Sequence, residues 1–332
     1  MGTVSHALRW GILGTGWIAG EFTQDLIAAG HTVAAVGSRS QESADAFAAR
    51  FGIPTAHPTY EALAADPEVD AIYISTPHPL HYENALLVLG AGKHALVEKA
   101  FTINAGQARE LVELATSKNL VVLEAMWTRW LPHMVRIREI IAAGTLGDVR
   151  TVLADHTQRL SDDPKHRILN PELGGGALLD LGIYPVSFAW DVFGRPSSVT
   201  AISTPVESTG VDRQTAILLG YPGGRQAVLH TALDTAGPNR AVVLGTLGRI
   251  EIDPVWYTAT SFTVYDEHGA VRERFEQPVI SRGMQYEAEA LERIVASGAL
   301  SGSELPPEET VSIIETLDEI RRQIGLSYPG EL

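Results

Sequence analysis

The stretch Leu8-Arg-Trp-Gly-Ile-Leu-Gly14-Thr-Gly16-Trp-Ile-Ala19 decides the fold. Residues 8–12 read as a short buried strand and residues 14–16 as a Gly-rich turn. A helical pattern follows to about residue 29, and residues 32–36 form a second apolar strand. This is one strand–helix–strand unit of about 30 residues, the size of a right-handed crossover. Its turn spells G-x-G-x-x-A. Gly14 allows the tight bend, Gly16 lets backbone approach a pyrophosphate, and Ala19 lets the helix pack close to the strand. Thr15, Trp17 and Ile18 fill the variable positions beside it. A pyrophosphate there would meet free N–H groups and the positive end of the helix dipole. Glycines between a strand and a helix can be turn chemistry alone; the strand before and the crossover after argue for the nucleotide reading.

The alternation continues outward. Helical patterns at 40–51, 60–65, 80–89 and 104–117 separate apolar strands at 71–75, 94–97 and 120–123. Short continuous apolar strands between amphipathic helices predict a doubly wound α/β domain with a parallel sheet, over residues 1–125. Beyond it, helices are expected at 131–142, 177–192, 282–296 and 307–324. Six extended runs fall at 198–205, 214–219, 226–231, 241–244, 249–252 and 261–265. Consecutive strands punctuated by Gly and Pro predict a second α+β domain, residues 126–332, on a largely antiparallel sheet.

Composition narrows the function. At 332 residues the chain exceeds the roughly 250–300 at which single cores stop growing, so two domains fit. It has no cysteine, which excludes disulfides, thiolate metal sites and a Cys nucleophile. Against 25 Lys and Arg stand 40 Asp and Glu, a net −15 that argues against nucleic acid as a partner. No stretch has the roughly 18 apolar residues of a membrane span, and the start lacks a secretory pattern, so a cytoplasmic protein is expected. His78-x-x-His81, with Glu83 and His57, superficially suggests metal ligands. Pro79 and the strand-to-helix turn argue against two His on one helical face, and no metal is expected.

The end of the second strand selects the cofactor. NAD would be signalled by a carboxylate for the ribose 2′-hydroxyl. The chain has Gly37-Ser38-Arg39-Ser40 instead. A guanidinium can grip a 2′-phosphate bidentately and Ser38 can donate to it, which favours NADP(H) over NAD(H). Further along, Asp180 and Tyr184 are four apart and share a face if that segment is helical. Alone, such a pair also reads as helix packing.

Three further stretches complete a set: Ser75-Thr-Pro-His-Pro-Leu-His81, Gly92-Lys-His-Ala-Leu-Val-Glu-Lys99, and Gly174-Gly-Gly-Ala-Leu-Leu-Asp-Leu-Gly-Ile-Tyr184-Pro. With the N-terminal fingerprint they resemble the Gfo/Idh/MocA oxidoreductase family over nearly the whole chain. Glu124-Ala-Met-Trp-Thr-Arg-Trp-Leu-Pro132 is similar to the branch containing dimeric dihydrodiol dehydrogenases and NADP-dependent D-xylose dehydrogenases. The resemblance implies a Rossmann domain followed by an α+β domain whose open sheet face makes a homodimer or higher homo-oligomer. It implies Glu98 near the nicotinamide and Lys99 as the catalytic lysine. Ala100 stands where the family has proline, which puts a cis peptide there in doubt. It also implies that Thr76 and Pro77 line the nicotinamide ribose, and that His81, Trp127, Arg129 and Arg167 lie around cofactor or substrate.

Hydride transfer from a carbinol carbon must be accompanied by movement of the hydroxyl proton. A phenol near pKa 10 needs a positive neighbour to work at neutral pH. Lys99 would be that neighbour, Tyr184 the proton carrier and Asp180 the orienting carboxylate. The expected activity is an NADP(H)-dependent oxidoreductase acting on a secondary alcohol or hemiacetal of a sugar or cyclic trans-diol. The alternatives are a non-catalytic NADP(H)-sensing or sugar-binding regulatory protein of the same fold, or a reductase of another carbonyl such as an anhydro-ketose.

Overall fold

In the computed structural model, which describes residues 8–163 and 165–331, strand and helix alternate as the periodicity predicts. The first part runs β1 (Arg9–Leu13), α1 (Trp17–Ala29), β2 (Thr32–Gly37), α2 (Gln41–Phe51), β3 (Thr55–His57), α3 (Tyr60–Ala64) and β4 (Ala71–Ile74). It continues with α4 (His81–Gly90), β5 (His94–Glu98), α5 (Ala105–Ser117) and β6 (Val122–Ala125). Ser40, Thr59 and Asn104 cap α2, α3 and α5 by accepting from the third N–H beyond them, whereas α1 starts at Gly16 with no side-chain cap. The six strands form one parallel sheet in the order β3-β2-β1-β4-β5-β6. The order reverses between β1 and β4, and ligands of such sheets bind at the carboxyl ends of the strands beside that switch.

The remaining elements are α6 (Pro132–Ala142), β7 (Val149–Thr157), α7 (Ile183–Phe193), β8 (Ser198–Pro205), β9 (Asp212–Tyr221), β10 (Arg225–Ala232) and β11 (Ala241–Gly245). After them come β12 (Gly248–Ile252), β13 (Phe262–Asp266), β14 (Val271–Phe275), α8 (Gln285–Ala296) and α9 (Pro307–Ile324). Strands β7–β14 make an eight-stranded sheet, β14-β13-β12-β11-β7-β10-β9-β8, antiparallel except for the β7–β10 pair. Helix α7 packs on β7 and β10, over inward residues such as Val152, Ala227 and Leu229. On the other face Leu153, Leu218 and Val228 lie in one cross-strand row and are 38%, 44% and 46% exposed.

Several elements differ from expectation. Strand β7 was not anticipated, although it is central in its sheet; its polar residues Arg150, Thr151, Asp155 and His156 make the run read as polar connection. The short edge strands β3 and β14 were also missed. The expected helix over 177–192 is instead a π-helical turn, Leu178–Gly182, followed by α7. The Lys99–Ala100 peptide is cis.

The expected boundary near residue 125 falls at Trp127, but residues 126–332 do not stay together. The chain divides into a first unit that ends at Trp127 and regains Val279–Val311, and a second of Thr128–Pro278 with Ser312 onward. Burial chemistry explains the return. The buried Trp10 indole N–H and His31 Nδ1 both meet Glu292 Oε1, at 2.9 and 3.0 Å, and the Met284 N–H donates to the buried Asp25. Among the described residues no helix is long and apolar enough to cross a membrane.

Candidate active site

In the first unit, the cofactor candidates converge on the carboxyl edge of the parallel sheet. Gly14 follows β1 with φ +105°, and a Cβ there would lie 2.8 Å from Ser75 Oγ, so the turn requires glycine. Around Gly16 nothing would meet a Cβ within 4 Å, leaving backbone open to a ligand. With the uncapped first turn of α1, this cradle fits a dinucleotide diphosphate. Thr15 lies beside Ser38, oxygen to oxygen 3.5 Å, at the end of β2, and the exposed Arg39 follows. Ile18 is half-buried and Trp17 is 67% exposed. Thr76 and Pro77 follow β4, Glu98 and Lys99 end β5, and Trp127 follows β6.

The opposite edge has a hollow of about 620 Å³ at the amino ends of β1, β2 and β3, lined by Arg9, Thr32 and Thr55 among others. It lies away from the topological switch, and Arg9 at its rim is already paired with Glu68 and Asp70.

Behind Lys99 the backbone is braced by side chains. A His78 ring nitrogen lies 3.1 Å from the Lys99 carbonyl, and the His81 ring lies between the carbonyls of Ala100 and Thr76, at 2.9 and 2.7 Å. His81 is wholly buried, and burial pushes its pKa down to about 3 although both carbonyls favour a protonated ring. His81 thus ties the ends of β4 and β5 together. Glu98 is also buried, accepting from the Tyr73 hydroxyl and from the Lys99 N–H at 3.1 Å. It supports the end of β5 that carries Lys99. Glu124 accepts from the Phe101 N–H, so carboxylates hold the chain on both sides of the Lys99–Ala100 peptide. Deeper still, Glu287 is fully buried, and burial with the charges of Glu98, Asp25 and Glu124 holds its pKa well above the carboxylate range.

In the second unit, Arg167 and Asp180 meet as a two-pronged ion pair, with distances of 3.1 and 3.4 Å. Asp180 sits in the π-helical turn, a deformation frequent at functional sites. That turn is held by Asp212, whose carboxylate accepts from the Leu178 N–H and the Thr215 hydroxyl, both at 2.8 Å. Gly176, with φ +116°, is required beside it, because a Cβ would come within 2.2 Å of Asp212 Oδ1. Burial pushes the Asp212 pKa up to about 7. A small core of Ile168, Leu169, Ala177, Leu181, Val206, Val211 and Leu233 fixes the loop that carries Arg167.

Tyr184, one turn on, is buried in an aromatic group that sequence reasoning missed. His156 meets it edge-on at 5.0 Å and stacks on Tyr257 at 3.6 Å. Gln158 Nε2 lies 2.9 Å from His156 Nε2 and donates to the Tyr257 hydroxyl at 3.3 Å. Burial pushes the Tyr257 phenol up to about 12, so it keeps its proton at neutral pH. The available signal was the alternation of β7, which points Val152, Ala154 and His156 inward.

Arg129, expected around cofactor or substrate, is placed among protein partners. It is 2% exposed, and its guanidinium is engaged by Ser187 Oγ and carbonyl, at 3.0 and 2.8 Å, and by Asp191 at 3.1 Å. Arg138 completes that buried group on Asp191. Arg129 therefore anchors the chain before α6 onto α7. Among the described residues no group of three or more His, Asp and Glu could hold a metal; His78 and His81 pack ring against ring at 5.6 Å.

Comparison with known proteins agrees with this architecture. Residues 8–126 match the family model described as an oxidoreductase family with an NAD-binding Rossmann fold, and residues 134–251 match the GFO/IDH/MocA C-terminal domain. The mouse trans-1,2-dihydrobenzene-1,2-diol dehydrogenase is 38% identical, over 98% of this chain and 99% of its own length. The human protein of that name is 36% identical over the same shares. An aldose-aldose oxidoreductase from Caulobacter crescentus superposes with a TM-score of 0.85 at 26% identity, covering 95% of this chain and 97% of that one. A 3-ketoreductase from Actinomadura kijaniata, solved with NADP and TDP-benzene, gives 0.84 at 26% identity, covering 96% and 98%. This chain belongs to the GFO/IDH/MocA oxidoreductase family.

Proposed function

We propose that this oxidoreductase uses NADP(H) to interconvert a secondary alcohol or hemiacetal of a sugar or cyclic trans-diol with its carbonyl. The observation that carries the cofactor is the end of β2, where Ser38 and exposed Arg39 stand in place of a ribose-binding carboxylate. The substrate class is supported by the diol and aldose names of the relatives.

The Gly14–Gly16 turn and the start of α1 would hold the dinucleotide, whose nicotinamide would supply the hydride chemistry in either direction. The protein handles the proton. In oxidation the substrate O–H bond breaks as the carbon–oxygen double bond forms, and the Tyr184 phenolate takes the proton. The positive charge of Lys99 orients the substrate oxygen. Asp180, held by Arg167, orients substrate hydroxyls. Arg167, half-exposed, contributes a cation at this site, and Trp127 supports the nicotinamide end.

One experiment tests both parts. Sugars and diols are screened with NADP and NAD while the absorbance of reduced nicotinamide is followed, for wild type, Arg39→Ala and Tyr184→Phe. Arg39→Ala should weaken NADP about 10–100-fold, the equivalent of about 1.4–2.8 kcal/mol, and leave NAD unchanged. Tyr184→Phe should bind NADP normally and lose turnover at least about 100-fold. Equal loss of both cofactors, or retained turnover, overturns the corresponding assignment.

A second copy of this chain is the partner we propose for the outer face of the eight-stranded sheet, where Leu153, Leu218 and Val228 form an apolar row. Light scattering should show a dimer that Leu218→Glu dissociates; a monomeric wild type overturns it.

A further inference from the structure

Arg282 lies just before α8, on the segment that returns to the first unit. Its guanidinium carbon is 5.2 Å from the ring centre of Trp17 and 5.7 Å from that of Trp127. Trp17 is the first residue of α1, and Glu21, one turn along, is 3.6 Å from Arg282 Nη1. Three side chains from two separate parts of the chain, α1 and the segment after β6, thus hold one cation over the first turn of the helix that follows the Gly-rich loop.

The arrangement is undersupplied with acceptors. A guanidinium has five N–H donors in a planar fork. The buried Nε of Arg282 has no hydrogen-bond partner among the described residues, and the Glu21 contact is too long for a hydrogen bond. Meanwhile Trp17 keeps 67% of its surface exposed while one face is covered by the cation. Indole stacking fixes a guanidinium in place while leaving its edge donors free for an oxyanion. The uncapped N–H groups of α1 lie in the same turn.

We propose that Arg282 is a diphosphate ligand of the dinucleotide, held ready by Trp17 and Trp127 and completing from the far end of the chain a site that the Gly-rich loop begins. The proposal rests on the dinucleotide reading above. It does not depend on whether the cofactor is NADP or NAD, because both carry the diphosphate. Arg39 reads the 2′-phosphate, Arg282 the diphosphate, and the two roles separate experimentally.

The test is calorimetric titration of wild type, Arg282→Met and Arg282→Lys with three probes. NADP carries both phosphate features. 2′-Phospho-ADP-ribose keeps the diphosphate without nicotinamide. Adenosine 2′,5′-bisphosphate lacks the diphosphate bridge. Arg282→Met, which keeps an unbranched chain against the indoles, should weaken NADP and 2′-phospho-ADP-ribose alike, about 10–100-fold. It should leave adenosine 2′,5′-bisphosphate within about two-fold, and Arg282→Lys should recover part of the loss. Unchanged NADP affinity overturns the proposal, and so does equal loss with all three probes, which marks a purely structural role. Should wild type bind NAD and not adenosine 2′,5′-bisphosphate, the NADP reading fails on its own. Arg282 is then judged with NAD and ADP-ribose against AMP, by the same criteria.

Discussion

Between pH 5 and pH 8 a single carboxyl, Asp212, should cost the wild-type protein stability that Asp212→Asn restores. The side chain is almost fully buried beneath the turn that carries Asp180, and burial moves its pKa from 3.8 to about 7. The folded state therefore keeps a proton that the unfolded chain releases near pH 4. Where the unfolded state binds fewer protons, unfolding free energy falls as pH rises. The fall runs from about pH 4 to about pH 7 and levels off above. Three units at 1.36 kcal/mol each total about 4 kcal/mol, of which roughly 2–3 kcal/mol falls between pH 5 and 8. Asparagine keeps the shape and one acceptor for the Leu178 N–H and the Thr215 hydroxyl, without a proton to lose. Urea unfolding of both proteins at pH 5 and pH 8 measures the effect as a difference between differences. Glu287, raised in the same sense, and the depressed carboxylates Asp70 and Glu273 are common to both proteins and cancel. The advantage of the variant should grow by roughly 2–3 kcal/mol from pH 5 to pH 8. A gap that stays constant with pH would refute the reasoning.

Two other expectations follow from the residues that brace the two sites. Arg129→Leu leaves the buried Asp191 with Arg138 alone and should cost about 3 kcal/mol or more in urea unfolding, while the dissociation constant for NADP stays the same. His78→Ala removes the ring beside the Lys99 carbonyl; kcat should fall about 10-fold with little change in KM, read in steady-state kinetics, because the lysine is less well placed.

The sequence was most legible where recognition is local. The Gly-rich turn, the missing carboxylate after β2 and the Asp180–Tyr184 spacing each lie within a few residues. Pattern alone therefore predicts the parallel sheet and the edge that holds the cofactor candidates. What stayed hidden depends on long-range packing. His156 reaches Tyr184 from a strand whose outward polar residues disguise it. Arg282 stands beside Trp17 only because the chain returns after residue 278. Arg129 and His81, both buried against protein groups, show the complementary difficulty. A polar side chain near a motif looks the same in sequence whether it faces a ligand or a buried carbonyl, and only burial separates the two.

The return of Val279–Val311 to the first unit has a consequence for synthesis on the ribosome. When residue 127 has been added, all six strands of the parallel sheet have been made. The partners of the Trp10 indole and the Asp25 carboxylate lie about 160 codons downstream, at Glu292 and Met284. At the roughly 5–20 residues per second of translation, the nascent nucleotide half waits about 8–30 seconds with those groups unmatched. Its final locking is thus timed by the emergence of the second unit, and a fragment cut at residue 127 should behave as an incomplete, chaperone-dependent domain.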